Sequence, residues 1–74
     1  MEEFCRRLSA AIKDEEMAAK EYKNLAMRVP TIPYFPVDAN SMIREVTSMD
    51  LDDIADEELG HRHKLLTLKR VFGC

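Results

Sequence analysis

The sequence predicts an all-α fold: an antiparallel two-helix hairpin that dimerises into a four-helix bundle. Two long stretches without proline flank one proline-rich segment, and both are rich in helix-forming residues. Apolar residues in each stretch recur at steps of three and four, which is typical of one face of a helix. With 74 residues, a hairpin is too small to bury two wide apolar faces by itself, so a second copy is expected to cover them.

The first helix is predicted over residues 2–28, approximately, which contain neither glycine nor proline. Its apolar face is wider than a coiled-coil seam, because two parallel lines of residues contribute to it. One residue of the main line, Glu15, carries a carboxylate where a core residue is expected. The apolar members are Phe4, Leu8, Ala11, Ala18, Tyr22, Leu25 and Val29 in the main line, and Cys5, Ile12, Ala19 and Ala26 in the second.

Three prolines at intervals of three residues, Pro30, Pro33 and Pro36, end this helix. Each one disfavours helical geometry in the residue before it. The segment over about 29–37 is therefore predicted to be a stiff, extended connector. We expect Tyr34 and Phe35 to pack over the end of the bundle.

The second helix is predicted over residues 39–72, approximately, with Asp38 or Ser41 as its N-cap. The residues around Thr47 resemble another helix start, so a kink near position 47 is expected. Gly60, inside this helix, costs about 1 kcal/mol relative to alanine. A close approach to another backbone would explain it, as would a position where the residue type matters little.

The apolar face of the second helix is interrupted by Glu58 and His61. They lie three residues apart, so both side chains share one face of the helix. An inward carboxylate without a partner is costly, and a metal ion would satisfy it. In the antiparallel register that matches both helices in extent, Glu15 lies level with Glu58 and His61. We therefore predict these three residues as metal ligands.

A two-fold axis would bring together two copies of each ligand. One Glu from each of two helices, with Glu-x-x-His from each of the other two, is the arrangement of carboxylate-bridged di-metal sites in bundles. Four carboxylates balance two divalent ions, and the oxygen-rich set suits iron or manganese, while zinc could also bind. Arg62 and His63 fall outside the face and are interpreted as solvated, and Asp50 is interpreted as a capping residue.

The segments AIKDEEMAAKEYKNLA and IADEELGHRHKLL resemble the two ligand-bearing helices of the rubrerythrin and ferritin-like superfamily. The family's first-helix ligand stands seven residues before a tyrosine, as Glu15 stands before Tyr22, and its second motif matches Glu58 to His61. A chain of two helices is similar to the encapsulated ferritins, which complete their site at a dimer interface. The resemblance implies two iron ions per dimer, with Tyr22 hydrogen-bonded to a ligand carboxylate.

The resemblance also implies an activity: a ferroxidase that oxidises Fe(II) with dioxygen or peroxide, in iron handling or oxidant defence. An alternative is a rubrerythrin-like peroxide reductase, which would need a separate electron-donor protein because the chain has no four-cysteine iron site. A third interpretation is a non-catalytic helical dimerisation module. In that case Lys or Arg would neutralise Glu15 and Glu58 across the interface between the two copies.

Composition excludes some classes of partner. The net charge is −3, from 11 basic and 14 acidic residues, without a basic cluster, which argues against nucleic acid and membrane surfaces. The sequence shows neither a long apolar run nor a secretory signal, so a cytoplasmic protein is predicted, with enclosure in a protein shell as an alternative. Cys5 and Cys74 fit no zinc or redox motif. We expect reduced thiols, with an inter-chain disulfide as the less favoured alternative.

Overall fold

A computed structural model of the chain describes residues 1–74 as two packed antiparallel helices without strands. Helix α1 comprises Glu2–Met27 and helix α2 comprises Val37–Val71. Together they form a rod with extents of 57 × 15 × 11 Å. This confirms the all-α hairpin, while the four-helix bundle stays a prediction. Neither helix contains a segment with the length and apolar character needed to cross a membrane.

Helix α1 ends one residue before the expected boundary. The N–H of Arg28 donates to the carbonyl of Leu25 at 3.0 Å, which closes the last turn. Pro30 follows two residues later and disfavours helical geometry at the intervening residue. Uninterrupted helix formers therefore set the length of α1, and the first proline sets its end.

Helix α2 begins at Val37, earlier than predicted, and neither Asp38 nor Ser41 caps it. Pro36 occupies the N-cap position, and its carbonyl accepts the first helical hydrogen bond, from the N–H of Asn40 at 3.0 Å. Asp38 lies in the first turn, where its charge favours the positive end of the helix. The helix continues through Thr47 without the interruption that was expected there.

The connector, residues 28–36, contains a turn that the expected extended segment lacks: the N–H of Phe35 donates to the carbonyl of Ile32 at 3.1 Å. Asn40 holds it from inside α2: its Oδ1 accepts from the N–H of Ile32 at 2.7 Å, and its Nδ2 donates to the carbonyls of Ile32 and Phe35 at 3.0 and 3.2 Å. In the single chain, Tyr34 is 82% exposed and its ring packs against that of Phe35, so the packing of both residues over the end of a bundle stays a prediction.

Replacing Asn40 with alanine should destabilise the hairpin by about 1–3 kcal/mol, because the partly buried polar groups of Ile32 lose their partner. Urea unfolding followed by circular dichroism measures this. Asn24→Ala is the matched control, since the Asn24 side chain lies within α1 and makes no hydrogen bond within the chain. Equal stability of the two variants would contradict the proposed role of Asn40.

The contact between the helices is narrow. Only five residues are buried, and most follow the second apolar line of α1 rather than its main line. Three of the five are alanines, so the two helices approach each other through small side chains. These buried residues are Leu8, Ile12, Ala19, Ala26 and Ala55.

The main apolar lines of both helices consequently remain partly exposed along one side of the hairpin. Leu68, for example, is 43% exposed although it belongs to the apolar face of α2. We call this side the open face. Its members are Phe4, Glu15, Tyr22 and Leu25 of α1, Ile54, Glu58, His61, Leu65 and Leu68 of α2, and Phe72, the residue that follows α2.

The opposite side of the helix contact is polar. Arg62 donates to Glu16 at 2.6 Å in an exposed pair, so Arg62 has a cross-helix partner that the sequence does not predict while its side chain stays in contact with solvent. The Lys23 ammonium lies 3.3 Å from Asp52 and 3.5 Å from Asp56. Hydrogen bonding to Asp52 raises the pKa of Lys23, as do the two nearby negative charges, while burial opposes them. Because these pairs are exposed, they help to set the register of the helices more than their stability.

Cys5 and Cys74 form an intrachain disulfide, so the prediction of reduced thiols is wrong. Antiparallel packing brings residues 5 and 74 to the same end of the hairpin, where their Cα atoms lie 5.6 Å apart. Gly73, at a φ of 70°, turns the chain back after α2. Sequence motifs describe local spacing, and this bond joins residues separated by 69 positions.

Gly60 makes no close approach within the chain. A Cβ atom built at this position would meet no heavy atom within 4 Å. Close packing against another part of the hairpin therefore does not explain the glycine.

Candidate metal centre

The structure brings the three predicted ligands together. Glu15 lies near the middle of α1, and Glu58 and His61 lie one turn apart on α2. One possible ligand atom from each side chain lies within 4.8 Å of those of the other two. The group therefore joins both helices on the open face and offers two carboxylate oxygens and one imidazole nitrogen.

Glu15 has the strongest need for a partner. Its side chain is 25% exposed, and its Oε2 is buried without a hydrogen bond. The nearest nitrogen, Nδ1 of His61, lies 3.7 Å away, which is beyond hydrogen-bonding distance. A buried, unpaired carboxylate oxygen is costly, so this position favours a bound cation.

The proximity of Glu15 also changes the pKa of Glu58. The hydrogen bond that a protonated Glu58 can donate to Glu15 is the largest cause that raises its pKa, followed by burial and by the negative charge of Glu15, while His61 lowers it. These effects favour a proton on Glu58, because two nearby carboxylates repel each other when both are ionised. A metal ion between them would remove that repulsion.

His61 leaves the group open on one side. Its side chain is 57% exposed and belongs to the open face. Three donors from one chain do not complete the usual coordination of iron, manganese or zinc, which takes four or more ligands. The group therefore has the donor types of a metal site and lacks part of the donor number.

Two other predicted residues lie near the group without joining it. Tyr22 is half-buried on the open face, and its hydroxyl makes no hydrogen bond within the chain. Its implied bond to a ligand carboxylate therefore stays a prediction. Asp50 lies inside α2 and is exposed, so it does not cap a helix and takes no part in the group.

Comparison with protein-family models, curated proteins and solved structures finds no match to this chain. The resemblance to rubrerythrins and ferritins therefore stays a prediction that depends on motif spacing. The grouping of Glu15, Glu58 and His61 is independent of that resemblance, since it follows from the packing of α1 against α2. The sequence does not predict the cross-helix ion pairs on the polar side, because their members follow no motif.

The raised pKa of Glu58 predicts a pH dependence of the metal-free protein. A folded-state pKa above the ordinary value of 4.5 means that the folded chain binds more protons than the unfolded chain between the two values. The contribution of Glu58 to stability is therefore present below 4.5 and is lost as the pH rises through the folded pKa. Compared with Glu58→Gln, the wild-type protein should become less stable over this range.

Urea unfolding of both proteins in chelator, from about pH 4 to about pH 7, measures the difference in their free energies of unfolding. The matched control is Glu57→Gln, which removes an exposed carboxylate one position away. A constant difference between wild type and Glu58→Gln would contradict the effect of Glu15 on Glu58.

Proposed function

We propose that the protein is a di-iron ferroxidase-type metalloprotein whose site is completed by a second copy of the chain. The observation that supports this best is the buried, unpaired Oε2 of Glu15 beside Glu58 and His61. The residues fit a metal by donor chemistry as well as by position. Oxygen-rich ligands with one imidazole per metal suit iron or manganese, and zinc is an alternative.

A second copy placed on the open face by a two-fold axis would double the donors to four carboxylates and two imidazoles. The four negative charges would balance two divalent ions. The open face supplies the apolar surface for such contact, because its large side chains are partly exposed in the single chain. In this proposal the homodimer is the functional unit.

Iron bound at this site would supply the redox chemistry: two Fe(II) ions give the two electrons that reduce one dioxygen to peroxide, or one peroxide to water. Glu15 and Glu58 would hold the ions and offset the higher charge of Fe(III). His61 would bind as neutral imidazole. The proton favoured on Glu58 must leave when a metal binds, so binding should release protons.

The charge partners in the structure favour a metal site over a non-catalytic dimerisation module. That alternative needs Lys or Arg of a second copy against Glu15, because within one chain the cross-helix cations pair elsewhere, Arg62 with Glu16 and Lys23 with Asp52 and Asp56. Only His61 approaches Glu15. A peroxide reductase would use the same ligands with a separate electron-donor protein, since both cysteines are joined in a disulfide.

The test is an anaerobic Fe(II) titration of protein purified without added metal, with its mass in solution measured alongside. We expect saturation near one iron per chain, in a species of at least two chains. Adding oxygen should then produce a rapid rise in near-ultraviolet absorbance as Fe(II) becomes Fe(III). Binding no greater than background would overturn the proposal.

A further inference from the structure

The two ends of the hairpin are both closed by covalent links. At one end, residues 28–36 join α1 to α2 through the main chain. At the other, the Cys5–Cys74 disulfide joins the first turns of α1 to the turn that follows α2. Since only five residues are buried between the helices, the disulfide is a large part of what holds its end together.

The backbone after α2 is shaped so that Cys74 reaches Cys5. The N–H of Gly73 donates to Arg70 at 3.2 Å, and the N–H of Cys74 donates to Lys69 at 3.0 Å. These bonds satisfy carbonyls at the end of the helix, and the φ of 70° at Gly73 is one that glycine adopts without strain. The reversal thus depends on backbone hydrogen bonds as well as on the disulfide.

The two cysteine residues differ in their exposure to solvent. Cys74 is exposed, whereas Cys5 is half-buried against the helix pair. Thiol–disulfide exchange requires a thiolate to reach one sulfur of the bond. A reductant in solution can therefore approach the Cys74 side while the hairpin is folded.

We propose that the Cys5–Cys74 bond is a redox latch, which a dithiol reductant opens in the folded protein to release the ends of α1 and α2 from each other. One thiolate of the reductant attacks Sγ of Cys74, the disulfide bond breaks, and Cys5 leaves as a thiolate that takes up a proton. The second thiol of the reductant then displaces Cys74. The products are two cysteine thiols and the oxidised, disulfide form of the reductant.

Opening the latch would act on the open face as well as on stability. The rings of Phe4 and Phe72, each next to or near a latch cysteine, meet edge to face with their centroids 4.9 Å apart. Both belong to the open face, so separating the helix ends removes a continuous apolar surface there. The inference concerns the end of the hairpin and does not depend on metal binding.

Three proteins test the latch: the oxidised wild type, the wild type reduced with dithiothreitol, and the double variant Cys5→Ser/Cys74→Ser. Closing a loop of this size stabilises a protein by an amount that corresponds to a roughly thousandfold change in the folding equilibrium. We expect reduction to lower the folded-to-unfolded ratio by about that factor. The double variant should match the reduced protein and should not respond to dithiothreitol.

A second measurement distinguishes a disulfide that is reduced in the folded protein from one that is reduced only after unfolding. Thiol release by dithiothreitol is followed without denaturant and at increasing urea concentrations below the unfolding transition. A latch predicts rapid release that hardly depends on urea. Release that rises with the unfolded fraction would overturn the proposal, and so would two free thiols in protein purified in air. If the double variant does not fold, the oxidised and reduced wild-type proteins still decide the matter.

Discussion

Replacing Glu15 with glutamine should abolish metal binding and should also make the metal-free protein more stable. The substitution removes the buried carboxylate oxygen that lacks a partner, and in a dimer it removes two ligands from the shared site. Glutamine keeps the shape of the side chain and removes its charge. The repulsion that raises the pKa of Glu58 should therefore disappear with it.

Isothermal titration with Fe(II), Mn(II) and Zn(II) measures the first effect, and we expect affinity to fall at least roughly 100-fold. Unfolding with and without chelator measures the second. At a free metal concentration 100 times Kd, binding should stabilise the wild-type protein by about 2.7 kcal/mol. The Glu15→Gln variant should not respond to chelator.

Glu21→Gln is the matched control, because Glu21 is an exposed carboxylate on the same helix and makes no ion pair. It should bind metal as the wild type does. Metal binding that survives in Glu15→Gln, with an unchanged response to chelator, would contradict the assignment of Glu15 as a ligand. Loss of binding in both variants would point to a general effect of charge instead.

Replacing Leu68 with glutamate should convert the protein to a monomer and weaken iron binding together with it. Leu68 lies on the open face and is 43% exposed in the single chain. In a two-fold dimer, the substitution would place two charges in an apolar contact, where each lacks a cationic partner. The fold of the hairpin should survive, because Leu68 is not among its five buried residues.

Sedimentation velocity measures the mass of each protein, with circular dichroism to confirm helix content. The matched control is Met49→Glu: Met49 is also exposed on α2, but helical spacing puts it on the side that faces away from the open face. It should retain the mass of the wild type. A dimer in Leu68→Glu would show that the second copy does not use the open face.

Much of this architecture follows from the sequence. The absence of glycine and proline before Arg28 predicts α1 to within a residue, and three prolines predict the break after it. The positions of Glu15, Glu58 and His61 follow from periodicity, because residues at steps of three and four share a helix face. Their proximity in the structure agrees with the predicted antiparallel register, in which Glu15 lies level with Glu58 and His61.

Other features depend on tertiary contacts that periodicity does not describe. The pattern in α1 predicts a wide apolar face, but it does not tell which line meets α2. The structure selects the line with Ala19 and Ala26, whose small side chains allow close approach. Likewise, Asn40 and the Cys5–Cys74 pair act across turns and across the whole hairpin, and neither belongs to a local motif.

The ion pairs beside the helix contact also bear on how far assembly can proceed. A rod that was apolar on both sides could add copies in layers without limit. In this chain, one side carries Glu16 with Arg62 and Lys23 with Asp52 and Asp56, all in exposed positions that favour water. An isologous contact pairs the apolar side of one copy with the apolar side of another. Neither copy then has an apolar side left for a third. For the homodimer proposed above, the division of the hairpin into one charged and one apolar side thus favours a finite particle over a fibre.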